Sequence, residues 1–153
     1  MSNDIVSNDI VNNDIASKLH PHWQLDHIGH AVHALEPAIH SLSKTLGFQL
    51  LHQEQVLDQL VEVAFLTLGS SVVELLAPLA GNQTLSAFLT KRGQSLHHLA
   101  YAVPSVSLEL EELKKLGCRL VDQTPRLGAR GHHVAFLHPS EGAGILIEIC
   151  GPK

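Results

Sequence analysis

The sequence predicts an α+β fold: two tandem βαβββ modules whose strands join into one cup-like sheet. Three observations carry this. "HIGHAV" from His27 returns as "HLAYAV" from His98, at 98 − 27 = 71; a helical pattern stops at Gly47 and again at Gly117, at 117 − 47 = 70; and "VAFL" from Val63 returns from Val134, at 134 − 63 = 71. Offsets of 70 to 71 over three landmarks mean two copies of one structural unit. Glu74 in "VVELLAP" and Glu148 in "LIEICGP" form a fourth pair at 148 − 74 = 74, the surplus falling in the longer turn "HPSEGAG".

Each element follows from local pattern. Residues 1–19 contain a pentapeptide written three times, "SNDIV SNDIV NNDIA". A period of five fits neither helix nor strand, so this reads as a flexible tail; it also lacks the basic start and long apolar stretch of a secretory signal. Module 1 covers 24–79. It opens with an alternating strand over 24–32, and Leu35, Ile39, Leu42 and Leu46 then fall at helical spacing before the stop at Gly47. Three strands follow, over 48–55, 60–68 and 71–77. "TLSAFLTKRGQ" supplies a connecting helix and loop, and module 2, 95–153, repeats the order, with Leu108, Leu113 and Leu116 on its helix. Together 24–153 form a single domain.

Composition excludes several functions. A net charge of −5 with only 10 Lys+Arg leaves no basic footprint for nucleic acid, and no apolar run is long enough to span a membrane. Cys118 and Cys150 sit inside apolar runs and read as buried free thiols of a reducing compartment, which places the protein in the cytoplasm. The expected partner is a small molecule.

The histidines and glutamates of the repeat carry the chemistry. In "LDHIGHAV" strand alternation puts His27, Gly29 and Ala31 on one face and Ile28, His30 and Val32 on the other. In the second copy His98, Ala100 and Ala102 oppose Leu99, Tyr101 and Val103. The bulky faces belong under the helices, leaving His27 and His98 among small residues in the cup, with His30 as a packing residue. Glu74 and Glu148 stand alone in apolar strands, where a carboxylate is costly unless paired or bound to metal. Taken singly, each also suits a solvated edge. Taken together, His27, Glu74, His98 and Glu148 make a pseudo-symmetric set of two nitrogens and two oxygens with room for further ligands, which suits a divalent ion such as Co, Mn, Ni, Zn or Fe.

"LDHIGHAV", "VAFLTLGSSVVELLAPL", "SLHHLAYAV" and "LGARGHHVAFLHPSEGAGILIEI", in that order, resemble the vicinal oxygen chelate superfamily and, within it, the methylmalonyl-CoA epimerase family. The resemblance spans about 25–149. It implies paired βαβββ modules, a divalent metal held by His27, Glu74, His98 and Glu148, a homodimer, and an acyl-CoA substrate epimerised at C2 through a chelated enolate. It further implies Glu62 in "LVEVAFL" as the base; epimerisation also needs a proton delivered on the opposite face, for which Glu148 or a bound water is the candidate. Lys91, Arg92, Arg126 and Arg130 are candidates to meet CoA phosphates. His30, Tyr101 and the pair His132 and His133 depart from the family pattern. Alternative readings are a glyoxalase-I-like lyase acting on a glutathione hemithioacetal, a ring-cleaving iron dioxygenase, which a fourth ligand at Glu74 argues against, and a metal-free small-molecule-binding protein.

Overall fold

A computed structural model describes residues 22–153, so the tail expected over 1–19 lies outside the described residues. Eight strands form one sheet: β1 (Gln24–Ala31), β2 (Gln49–Val56), β3 (Val61–Leu68), β4 (Ser71–Pro78), β5 (Ser95–Ala102), β6 (Arg126–Leu127), β7 (His133–Leu137) and β8 (Leu146–Gly151). Their order, β2-β3-β4-β1-β5-β8-β7-β6, reads as the same arrangement from either edge. In each half the first strand pairs parallel with the last, β1 with β4 and β5 with β8, and the halves meet where β1 and β5 run antiparallel. The sequence repeat thus becomes a pseudo-two-fold axis between β1 and β5.

Three helices connect the strands: α1 (Leu35–Ser41), α2 (Gln83–Arg92) and α3 (Val106–Lys115). α1 runs on through a π-helical turn, Leu42–Leu46, and stops at Gly47, whose φ of 78° is the left-handed conformation that glycine adopts without penalty. The Asn82 side-chain oxygen accepts from the Leu85 N–H at 2.8 Å and caps α2; Ser105 does the same for α3 from Leu108, at 3.4 Å. α1 packs Leu35 against Val32, Ala64, Leu66, Leu75 and Ala77 on the outer face of module 1. α3 packs Val106, Leu110 and Leu113 against Val103, Ala135 and Ile149 on the outer face of module 2. The connecting helix α2 instead sets Leu85 and Leu89 on the inner face, beside Val61, Val63, Phe65 and Leu76.

The modules differ at one edge. Where module 1 has the eight-residue β2, module 2 has the two residues of β6 and an isolated bridge from Leu120 to Leu137. Pro125 supplies no N–H to a ladder, and the Asp122 carboxylate takes the Phe136 N–H, at 2.9 Å, that a neighbouring strand's carbonyl would otherwise accept.

Candidate metal centre

The sheet register builds the site. One row across the strands runs Phe65, Glu74, Gly29, His98; the other runs Phe136, Glu148, Ala100, His27. Cross-strand partners share a face, so each glutamate and the histidine of the opposite module stand on either side of a small residue, with space above it. A Cβ on Gly29 would lie 2.2 Å from the His98 ring, so glycine is required here for room.

All four side chains are buried: His27 3%, Glu74 5%, His98 0% and Glu148 6% exposed. The two Nε2 atoms are 3.3 Å apart, and each lies 3.3 Å from one Glu74 oxygen. Glu148 stands a little further off, at 3.6 Å from His98 and 4.0 Å from His27. Donors held about 2.1 Å from a common ion lie about 3.0 to 3.4 Å from one another in octahedral or tetrahedral geometry. The Glu74 and histidine separations fit that spacing, and the donor chemistry suits a borderline divalent ion.

Neighbours orient the histidines. Asp26 lies 2.7 Å from His27 Nδ1 and 2.9 Å from the Arg130 guanidinium. The hydrogen bond to His27 holds the Asp26 carboxyl down at about 2. In module 2 the equivalent neighbour is His97, whose Nδ1 lies 3.0 Å from His98 Nδ1. An ion held by the inward Nε2 atoms would leave the hydrogen on each Nδ1, to be donated outward to a carboxylate in one module and to an imidazole in the other. Burial, and then the nearby His98, push His97 down to about 4, which keeps it a neutral acceptor. Phe65 and Phe136 stand edge-on to His27 and His98, at 5.3 and 5.6 Å between centroids, and restrain both rings.

The charges are unevenly held. Burial disfavours protonated His27, but hydrogen bonds to Asp26 and Glu74 and the charge of Glu148 outweigh it and raise its pKa to about 9. Glu74 pays a desolvation cost too, yet the two imidazoles beside it hold its carboxyl low. Glu148, more distant from both, is pushed up by burial.

The structure differs from the sequence expectation in the face that Glu62 occupies and in the burial of Cys118. Glu62 does not face the cup: along β3 the residues lining it are Val61, Val63 and Phe65. Glu62 has the opposite parity, shared with Ala64 and Leu66, which pack under α1, and it pairs across the ladder with Ala77 of that same outer cluster. This placement sets its carboxylate apart from the cup that the resemblance would have it serve. Glu62→Gln is expected to leave C2 proton exchange within about threefold of wild type, the scale of a substitution outside the site; a rate assay checks this. Arg126 and Arg130 are paired with Asp122 and Asp26, at 3.0 and 2.9 Å, and stand over the Phe136 and Phe65 rings. Cys118 is half-buried, not buried; both cysteines are free. His30 lies on the opposite face from His27, Glu74, His98 and Glu148, half-buried, and Lys91 and Arg92 are exposed on the last turn of α2.

A family model for the glyoxalase/bleomycin resistance protein/dioxygenase superfamily matches residues 26–136. The chain belongs to this superfamily. Within it, an uncharacterised protein of Bacillus subtilis is 42% identical over 85% of this chain and 93% of its own length. An ethylmalonyl-CoA/methylmalonyl-CoA epimerase of Cereibacter sphaeroides is 34% identical over 82% of this chain and 96% of its own. A solved methylmalonyl-CoA epimerase in complex with methylmalonyl-CoA and ammonium superposes with a TM-score of 0.79 at 30% identity, over 85% of this chain and 94% of that one. The curled mixed sheet is the superfamily's fold.

Proposed function

We propose that this chain is a divalent-metal-dependent epimerase that interconverts the two C2 epimers of methylmalonyl-CoA. The observation that carries this is the buried centre of two histidines and two glutamates on the axis of a chain whose superfamily relatives include enzymes of that name. The C2 hydrogen of a malonyl thioester lies between two carbonyl groups, and its removal sends an electron pair toward the thioester oxygen. If the carbon acid and its base differ by about ten pK units, about 14 kcal/mol of stabilisation is needed, more than one hydrogen bond supplies. A divalent ion held by His27, Glu74, His98 and Glu148 would act as the Lewis acid that meets this developing charge.

The chain's own residues do the rest. Asp26 and His97 hold the imidazoles in the required tautomer. Val61, Val63, Phe65, Val134 and Phe136 wall the cup with apolar surface, excluding water and strengthening every electrostatic contact inside it. Glu148, or a water beside it, serves the second face of C2. We further propose a cytoplasmic homodimer: the free thiols suit a reducing compartment, no helix among the described residues is long and apolar enough to cross a membrane, and sedimentation tests the dimer.

The deciding experiment offers the metal-loaded protein one methylmalonyl-CoA epimer, and in parallel methylglyoxal with glutathione. Appearance of the other epimer with no lactoylglutathione supports the proposal; the reverse result replaces it with the glyoxalase reading. Ion binding should also depend on pH with a defined sign. Because the His27 pKa is raised to about 9, the metal-free site carries a proton that the ion must displace. Affinity is therefore expected to rise about tenfold per pH unit through neutrality and to level off near pH 9, with one proton released per ion, measurable by calorimetry in two buffers.

A further inference from the structure

We propose that His132 is the group that takes the proton from C2, an assignment that rests on the epimerase reading. The cup contains few groups able to do so. Apart from the four ligands, the titratable side chains lining it among the described residues are Arg130, Cys150 and His132. Arg130 is a permanent cation and is engaged with Asp26. Burial pushes the Cys150 thiol far above its usual range, and its S–H donates to the Tyr101 carbonyl at 3.6 Å. His132 remains, half-buried, with no hydrogen bond from its ring to any described residue. Histidine is the side chain that both accepts and returns protons near neutral pH.

Its placement is independently fixed. Residues 132, 134 and 136 share one parity, and Val134 and Phe136 line the cup as His132 does. The repeat offset pairs His132 with Val61, at 132 − 61 = 71, and pairs Glu62 with His133, both on the outer face. Hence one wall of the pseudo-symmetric cup presents an imidazole where the other presents a valine, an asymmetry suited to proton removal from one side of a substrate.

The loop before His132 is clamped. Arg130 holds a left-handed φ of 57°, uncommon for a residue with a side chain. Its N–H donates to Glu54 on β2, its guanidinium binds Asp26 on β1, and it stands 4.3 Å over the Phe65 ring of β3. The His132 N–H donates to the Ala129 carbonyl at 3.1 Å, and the His132 carbonyl accepts from the Gly128 N–H at 2.8 Å. Three strands of module 1 thus hold the module 2 loop that carries His132, the rigid support a proton-transfer group needs.

The step balances. The C2–H bond breaks, its proton goes to an imidazole nitrogen of His132 that carries no hydrogen, and its electron pair moves to the thioester oxygen. A water on the opposite face gives a proton to C2, forming the other epimer and a hydroxide, which the imidazolium neutralises to restore both groups.

The test compares wild type, His132→Gln and His132→Ala, all metal-loaded, following C2 deuterium uptake from methylmalonyl-CoA in deuterated water, with ion content measured on each. The expected result is a fall of about 10² to 10⁴-fold in exchange in both variants, unchanged ion content, and partial recovery of His132→Ala on adding free imidazole. Exchange within about threefold of wild type, the scale of a silent surface change, overturns the assignment, as does a loss that tracks lost ion or that imidazole fails to relieve. If wild type exchanges no C2 proton, the epimerase reading itself fails and takes this inference with it.

Discussion

Replacing His98 with alanine is expected to remove the bound ion and the activity together. The His98 ring is fully buried and its Nε2 lies within 3.6 Å of three other donors, so its loss opens one corner of the centre and leaves Glu74 and Glu148 facing each other with a single imidazole between them. Two buried carboxylates so exposed to mutual repulsion favour a proton over an ion. Outer partners of a metal ligand alone are worth about 10 to 100-fold in affinity, so removal of a ligand should exceed about 100-fold, with activity falling at least as far. Truncating a buried side chain of this size also costs about 2 to 4 kcal/mol of stability. Ion content by mass spectrometry, with circular dichroism to verify folding, separates this outcome from unfolding. An alanine variant that keeps its ion would remove His98 from the centre.

The second large effect is expected at a residue with no functional group. Gly29→Ala adds one methyl, yet that carbon would sit 2.2 Å from His98 Cε1 and 2.3 Å from Nδ1. The backbone there is extended strand, so the substitution introduces no conformational strain of its own. The steric conflict must be relieved by moving a fully buried imidazole whose position is set by His97 and Phe136. Close-packed surroundings give little room for this. The expected result is loss of ion affinity of about 100-fold or more, with overpacking costing about 1 to 3 kcal/mol of stability. A metal titration and a thermal melt check both. Ala100, across the same ladder beside His27, already carries the methyl, so the two modules answer the same substitution differently.

Much of this architecture is visible in the sequence because it is duplicated. A lone histidine in a strand says little, but His27 and His98 at a fixed offset, each followed by small residues on its own face, identify the strands that meet on the axis. Glu74 and Glu148 stand out by the same repetition. Asp26 and His97 were equally legible in position, as the residues before His27 and His98, but an acid and a histidine do not look alike, and only their contacts show that each meets the Nδ1 of the histidine that follows it. Glu62 shows what alternation cannot decide. Strand parity separates Glu62 and Ala64 from Val63 and Phe65, but it does not say which set the helix covers. Because the cup of module 1 is itself apolar, the hydrophobic set belonged to the site and the carboxylate to the outer face. The Gly128 to His132 loop was opaque for a different reason: its conformation depends on Asp26, Glu54 and Phe65, distant in sequence and joined to it only when the two modules close on each other.

Deuterium uptake at C2 tests the central claim most directly. The protein is stripped of divalent ions with a chelator, divided, and one portion reloaded with cobalt or manganese; each is incubated in deuterated water with a single epimer of methylmalonyl-CoA. Deuterium is expected to appear at C2 as the second epimer accumulates in the reloaded portion, with exchange in the stripped portion slower by at least about 10²-fold, the scale set by removing a main source of charge stabilisation. Equal exchange in both portions, or none in the reloaded one, would contradict a metal centre of His27, Glu74, His98 and Glu148 that serves proton removal at C2.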